Sequence, residues 1–231
     1  MLDAVLNFFF PAVCPFCREI LTDKTPVCES CMKSLPFVPE NCCSSCSRPL
    51  EEFSYHICSD CQKDKIYFDG SFIPLIYKDE ARDCAIALKS GHPFYAKGIA
   101  YLLADKILNS PDYDKIDVIT FVPQSFKGKF DRGYNQAYLI VKELSALLKI
   151  PVRSTLKRTD SGKDQHTLKR AARRENVKKC YFAKNVQGEG TALLVDDIYT
   201  TGATSNYCSR LLRSIGFKKV YIAIGFIKSD D

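Results

Sequence analysis

The sequence lacks an apolar run long enough to cross a membrane. Its longest apolar stretch near the start, residues 6–13, is far shorter than the roughly 20 residues that a membrane helix needs. No positively charged segment precedes this stretch and no small-residue cleavage site follows it, so we do not expect a secretory signal. These absences predict a cytoplasmic protein without membrane insertion.

Cysteine is abundant but unevenly placed. All of the 12 cysteines except Cys84, Cys180 and Cys208 lie before residue 62, and we expect these three to be core residues. A secreted disulfide domain is the competing explanation for such a cluster. The lack of a signal and the paired spacing of the early cysteines both favour metal binding instead.

Four Cys-x-x-Cys pairs predict a small zinc module in residues 1–65. Two such pairs place four thiolates around one ion. Four protein ligands leave no open coordination position for a substrate, which indicates a structural rather than a catalytic site. We therefore expect two structural Zn²⁺ ions, each contributing on the order of 10 kcal/mol to folding. Sequential pairing is favoured, but the similar gaps between pairs leave a cross-braced pairing open, with His56 an unneeded substitute ligand. The expected ligands are Cys14, Cys17, Cys28, Cys31, Cys43, Cys46, Cys58 and Cys61; Cys42 does not make the two-residue spacing.

Positive charge is concentrated in one segment. The net charge is +6, yet residues 151–184 carry eleven Lys or Arg against three acids, a local charge of +8. An anionic partner should therefore meet this segment. Its only aromatic residues are Tyr181 and Phe182, so it offers little for stacking nucleic-acid bases.

Residues 66–231 alternate predicted strands and helices, which indicates an α/β domain with a parallel sheet covered on both faces. A polar, basic, loop-like stretch is expected over residues 153–176. The predicted strands are residues 71–77, 117–122, 192–195 and 219–226, and the predicted helices are residues 99–108, 136–149 and 205–215.

Residues 193–204 carry the strongest catalytic-type pattern. A buried strand ends in Asp196 and Asp197, and a hydroxyl-rich turn then opens a helix. Backbone N–H groups at a helix N-terminus bind phosphate, and Gly202 allows close approach of the backbone. The two carboxylates suit a pair of ribose hydroxyls and favour a nearby Mg²⁺.

This run resembles the signature of type I phosphoribosyltransferases, in which two acids and two variable residues precede Thr-Thr-Gly-x-Thr. The resemblance implies binding of phosphoribosyl pyrophosphate (PRPP) with Mg²⁺. Asp196 and Asp197 would hold the ribose 2′ and 3′ hydroxyls. The 5′-phosphate would lie against Thr200, Thr201, Gly202, Ala203 and Thr204.

Two further strings make the whole chain similar to ComF-type competence proteins. They are Arg132-Gly133-Tyr134-Asn135-Gln136, and Gln165-x-x-Leu168 followed after four residues by Arg173-x-x-Asn176-Val177. The resemblance implies a type I phosphoribosyltransferase-like parallel sheet behind a double zinc ribbon, and a role in the uptake of transforming DNA with partner proteins of that machinery. Arg132 would bind pyrophosphate, assisted by Lys127 or Lys129, unless this is a solvated basic loop. The place of a mobile catalytic loop, or of nucleic-acid contacts, is taken by Arg158, Gln165, Arg170, Arg173 and Asn176.

Two functions therefore stand side by side. The first is an Mg²⁺-dependent phosphoribosyltransferase that releases pyrophosphate. Its acceptor is not identified, because no base-recognition element is found and few residues follow the last strand. The second is a non-catalytic zinc protein that binds single-stranded DNA through the basic segment, with strongly salt-dependent affinity.

Overall fold

The computed structural model describes residues 12–21, 25–51, 56–126, 128, 130, 133–159 and 170–228. The side chains of residues 114 and 170–174 also lie outside the description. No helix in these ranges is long and apolar enough to span a membrane. The fold has two parts, a cysteine-rich N-terminal module and a larger α/β unit.

The N-terminal module repeats one local pattern. The pattern occurs twice and uses two Cys-x-x-Cys pairs each time. An isolated antiparallel bridge encloses one pair, and a short helix begins directly after the first cysteine of the next pair. The bridges join Val13 to Ile20 and Cys42 to Pro49, and the helices are α1 (Glu29–Ser34) and α2 (Ser59–Lys63). In each knuckle one residue, Arg18 or Ser47, adopts a left-handed backbone and bonds the carbonyl of the first cysteine.

The larger unit alternates strands and helices, as the sequence predicts. Its bounds are β1 Gly70–Phe72, β2 Leu75–Ile76, α3 Asp79–Lys89, α4 Tyr95–Leu108, a 3₁₀ turn Tyr113–Lys115, β3 Val118–Phe121, α5 Gln136–Leu148, β4 Leu156–Arg158, α6 Arg170–Cys180, β5 Tyr181–Ala183, β6 Thr191–Tyr199, α7 Ala203–Ser214 and β7 Lys219–Ile227.

The main sheet has the strand order β1-β7-β6-β3, with β2 also paired to β7. All of these pairs are parallel, and β6 and β7 form the centre, with Leu193 opposite Tyr221. One hydrophobic cluster, with α3, α4 and α5, covers one face. A second cluster, with α6, α7 and the antiparallel β4–β5 pair, covers the other. The predicted parallel sheet flanked by helices is confirmed.

The N-terminal module packs against the edge of this sheet. Phe37 forms a bridge with Leu75 of β2, and the Val38 N–H donates to the Pro74 carbonyl at 2.8 Å. Pro15 abuts Gly98 of α4, where an added Cβ would overlap the proline ring. The division at residue 65 stays a prediction.

Three predicted elements differ from the structure. The strand predicted at residues 71–77 is two short strands, interrupted at Pro74, which has no N–H to donate to the sheet. The strand predicted at residues 192–195 continues to Tyr199, so Asp196 and Asp197 lie within it. The stretch predicted as a loop at residues 153–176 contains β4 and the first seven residues of α6. Buried Val177 and Cys180, in the C-terminal half of this helix, pack in the second cluster.

Candidate functional site

Two groups of four cysteines are brought together among the described residues. In each group the Sγ atoms lie within 4.8 Å of one another. A tetrahedral zinc ion with Zn–S bonds of about 2.3 Å places sulfur atoms under 4 Å apart. The observed 3.5 Å between the Sγ atoms of Cys17 and Cys28, and 3.7 Å between those of Cys46 and Cys58, fit that geometry. The groups are Cys14, Cys17, Cys28, Cys31 and Cys43, Cys46, Cys58, Cys61, which is the sequential pairing and not the cross-braced one.

One thiol of each group favours its ionised form. Burial raises the pKa of the Cys14 thiol, but hydrogen bonds from neighbouring backbone N–H groups more than offset this and lower it to about 7. Hydrogen bonds from Cys46 and Cys61 hold the pKa of Cys43 well below its usual value. The pKa of Cys17 and Cys31 in the first group, and of Cys46 and Cys61 in the second, is raised instead. Because zinc binds thiolates rather than thiols, metal binding would release protons from these cysteines. Cys42 belongs to neither group, and burial raises its pKa.

The turn after β6 forms the second candidate site. Gly202 has φ +71°, and its N-terminal position on α7 lets its carbonyl accept from the Asn206 N–H at 2.8 Å. The Thr201 hydroxyl accepts from the Ala203 N–H at 3.5 Å. The turn therefore lies at the carboxyl end of a central strand and opens a helix of 12 residues, where ligands of parallel sheets bind.

The two neighbouring carboxyls of β6 have opposite electrostatic environments. Burial, reinforced by the charge of Asp197, raises the pKa of Asp196 well above its usual value. Burial also raises the pKa of Asp197, but the Lys89 ammonium more than offsets this, and the pKa is lowered overall. The Lys89 Nζ atom lies 3.0 Å from the Asp197 Oδ2 atom. One carboxyl is thus biased towards its protonated form and the other towards its charged form.

Lys89 is a site residue that the sequence interpretation missed. It is the last residue of α3, a helix that was not predicted. The apolar spacing in this segment is a helical signal that could have identified α3. The buried residues that show it are Ala81, Cys84, Ala85 and Leu88. The lysine at the end of this helix then reaches the carboxyl end of β6.

The segment 133–136 is held at the same edge of the sheet. The Tyr134 hydroxyl donates to the Leu88 carbonyl at 2.6 Å and accepts from the Gly91 N–H at 3.1 Å. Asn135 caps α5 through its side-chain oxygen and donates to the Val122 carbonyl at 3.1 Å. The segment therefore lies between the end of β3 and the end of α3. Arg132, Lys127 and Lys129 lie outside the described residues.

Comparisons with known proteins place the chain among relatives of one kind. A family model described as "Double zinc ribbon domain" matches residues 5–62. Competence protein F of Haemophilus influenzae is 36% identical over 110 residues, which is 46% of this chain and 48% of that protein. Competence protein ComFC of Bacillus subtilis is 33% identical over 105 residues, 45% of this chain and 41% of that protein. Over about half of its length, this chain is therefore similar to two competence proteins.

The chain spans about half the length of the curated relatives that it matches. Among solved structures, an allosteric regulatory enzyme of purine biosynthesis is similar with a TM-score of 0.38 and 21% identity, covering 56% of this chain and 25% of that chain. A purine phosphoribosyltransferase from Pyrococcus horikoshii Ot3 gives 0.35 and 17%, covering 59% and 84%.

Four of the five residues predicted for a mobile loop lie on strands or helices. Arg158 ends β4, and its guanidinium carbon lies 5.2 Å from the centre of the Tyr181 ring. Burial raises the pKa of Tyr181, while Arg158 opposes and Asp196 reinforces this rise, so both charges act on one buried ring. Asn176 is buried in α6. Arg170 and Arg173 lie on the same helix, but their side chains, like the whole of Gln165, lie outside the described residues.

Replacing Gly202 with alanine is expected to destabilise the protein by about 2 kcal/mol, since a positive φ and a blocked Cβ position both oppose the side chain. The new Cβ would overlap the Tyr199 hydroxyl. Gly91→Ala is the matched control, because Gly91 has φ +98° but no heavy atom within 4 Å of an added Cβ. Urea unfolding should show a larger decrease in the free energy of unfolding for Gly202→Ala than for Gly91→Ala. Equal losses would mean that the contact with Tyr199 does not constrain the turn.

Proposed function

We propose that this chain binds PRPP with Mg²⁺ at the β6–α7 turn and acts as a phosphoribosyltransferase-like protein in DNA uptake. The observation that carries the proposal is the arrangement of Asp196 and Asp197 on the central strand, directly before a hydroxyl-rich turn at the start of α7. Carboxylates at one end and a phosphate-binding helix start at the other match a phosphorylated ribose.

Each part of this site has a chemical task in the proposal. The N–H groups and hydroxyls of the turn, Thr200 to Thr204, would bind the 5′-phosphate. The charged Asp197 would accept hydrogen bonds from a ribose hydroxyl, and Asp196 would hold the other. Lys89, which pairs with Asp197 at 3.0 Å, supplies a cation close to the departing pyrophosphate. Asp196 and Asp197 would help to hold Mg²⁺, and its positive charge would offset the negative charge of the pyrophosphate.

Phosphoribosyl transfer is the reaction that such a site would perform. The bond between the anomeric carbon and the pyrophosphate oxygen breaks, pyrophosphate leaves with its electron pair, and an acceptor nucleophile bonds to the carbon. Positioning and charge neutralisation would provide the catalysis, so no nucleophilic side chain is needed. The acceptor pocket would be formed by the zinc module, by residues 66–110 or by a partner protein.

The proposed biological setting follows from the names of the relatives. Two curated relatives are called competence proteins, and we extend that role to this chain, together with partners from the DNA-uptake machinery.

Binding of single-stranded DNA is the second candidate function. It is favoured by the basic stretch, in which Lys178 and Lys179 of α6 and Phe182 of β5 are exposed. Phosphate contacts made by such cations are screened by salt, so this binding would weaken steeply with ionic strength.

Calorimetric titration of PRPP with Mg²⁺ into the zinc-loaded protein tests the first proposal. We expect saturable binding, and a loss of about 100-fold or more in affinity for Asp196→Asn/Asp197→Asn, because the charge-assisted contact of Asp197 and the ribose contact of Asp196 are both removed. The matched control is Glu80→Gln/Asp83→Asn, which removes two exposed carboxylates from α3.

The control should bind like the parent protein. Absence of binding by the parent would overturn the PRPP proposal and leave the DNA-binding candidate. Equal losses in both double variants would show that net charge, rather than the β6 carboxyls, governs affinity.

A further inference from the structure

Arg48 connects the second cysteine group to the β6–α7 turn. It lies two residues after Cys46, and its carbonyl accepts from the Cys43 N–H at 2.7 Å. Its side chain is only 10% exposed. The Nη2 atom donates to the Thr200 carbonyl at 3.1 Å. Arg48 thus bonds to a cysteine knuckle through its backbone and to the turn through its buried side chain.

The same guanidinium contacts the other half of the second cysteine group. Its Nη2 atom lies 3.7 Å from the Asp60 Oδ2 atom. Asp60 lies on α2, between the ligand candidates Cys58 and Cys61. A metal ion that joins the Cys43–Cys46 knuckle to α2 would therefore fix both elements that determine where the guanidinium lies.

Further contacts connect the second cysteine group to the turn and to the sheet. Tyr199, the last residue of β6, is 4% exposed, and its hydroxyl lies against Gly202 of the turn. Tyr199 shares the second hydrophobic cluster with three cysteines of the second group, Cys43, Cys46 and Cys58. The Ser47 hydroxyl, 2.7 Å from that of Ser71, joins the knuckle to β1 as well.

The first cysteine group packs elsewhere. Cys14 and Cys31 belong to the hydrophobic cluster with α4 and α5, on the opposite face from Cys43, Cys46 and Cys58. Loss of metal from the first group should therefore affect a different face of the sheet from loss of metal from the second group.

We propose that Arg48 is a positioning residue through which zinc in the second cysteine group sets the geometry of the β6–α7 turn. With the ion bound, the knuckle and α2 hold the guanidinium on the Thr200 carbonyl, and this fixes the peptide units of the turn. Without the ion the guanidinium loses its anchors and the turn loosens. The consequence for phosphate affinity rests on the proposed PRPP site, whereas the consequence for the turn itself does not.

Hydrogen exchange of the amides in residues 200–204, measured without PRPP, tests the coupling. Arg48→Met keeps an unbranched apolar stem but removes the guanidinium and its donors. We expect it to retain two zinc ions, to accelerate exchange in the turn about tenfold, and to weaken PRPP binding by a similar factor. Arg48→Lys should restore part of the protection, since lysine keeps the charge but not the planar fork.

Paired cysteine variants test the role of the ion. Cys58→Ser/Cys61→Ser should lose one zinc ion and accelerate exchange in the turn as Arg48→Met does, and combining the two changes should add little. Cys28→Ser/Cys31→Ser, the equivalent change in the first group, should also lose one ion but leave exchange in the turn near that of the parent.

The outcomes separate this inference from the proposed function. Faster exchange in Arg48→Met together with no PRPP binding by the parent would support the coupling and overturn the PRPP site. Normal PRPP binding with unchanged exchange in Arg48→Met would overturn the coupling alone. Equal acceleration by the first-group and second-group variants would also overturn it, because any loss of zinc would then loosen the turn.

Discussion

Replacing Cys14 with serine is expected to remove one of two bound zinc ions and to lower the melting temperature by on the order of 10 °C. A structural zinc ion contributes about 10 kcal/mol to the folding of a small module, and part of this is lost when one of four ligands is removed. The loss should reach the larger unit, because Cys14 and Cys31 share a hydrophobic cluster with α4. Metal analysis and scanning calorimetry provide the measurement.

Cys42→Ser is the matched control for this substitution. Cys42 neighbours a ligand candidate in sequence but belongs to neither four-cysteine group. The variant should keep two zinc ions and melt close to the parent protein. Retention of two ions by Cys14→Ser, or loss of an ion from Cys42→Ser, would contradict the observed grouping.

Replacing Asp196 with asparagine is expected to stabilise the protein at neutral pH by about 1 kcal/mol, which lies in the common range for a stabilising substitution. The folded protein raises the pKa of this carboxyl, first through burial and then through Asp197, so the ionised form is costly in the native state. The parent therefore loses stability as the pH rises from the ordinary range of an aspartate towards the raised pKa. The gain in stability from Asp196→Asn should be complete at pH values above the raised pKa and should vanish below the ordinary pKa of an aspartate.

Asp197→Asn, the same chemical change one residue later, should have the opposite sign. Lys89 lowers the pKa of Asp197 against the effect of burial, so the charged form contributes stability above the ordinary pKa of an aspartate, and this contribution is lost as the pH falls through the lowered one. Removing the carboxylate also leaves the ammonium without this partner. Thermal unfolding of both variants against the parent between pH 5 and 8 gives the comparison, in which the shared zinc contribution cancels. Shifts of one sign for both variants would contradict the pairing of Lys89 with Asp197.

The sequence predicts the fold well where the pattern is local and strongly repeated. Helix α5 differs from its predicted range by one residue at its end, because its apolar residues recur with helical spacing and Asn135 caps it. The basic stretch was misjudged for the opposite reason: α6 is rich in charge, and only its packing through Val177 and Cys180 distinguishes it from a solvated loop.

The candidate sites divide in the same way. Zinc ligands at two-residue spacing, and the acids and hydroxyls of residues 196–204, are contiguous in the chain, so their chemistry can be inferred without a structure. Lys89 and Arg48 carry no such signal. Lys89 meets Asp197 across 108 positions of the numbering, and Arg48 meets Thr200 across 152.

The sequence by itself determined the module of four cysteine pairs, the α/β character of the larger unit and the location of the phosphate-type turn, since each depends on neighbours along the chain. Only the tertiary structure decided which cysteine pairs share a site, which cation faces Asp197 and which zinc group contacts the turn. These contacts form because parallel strands bring distant segments to one edge of the sheet, and no short-range pattern records where such segments meet.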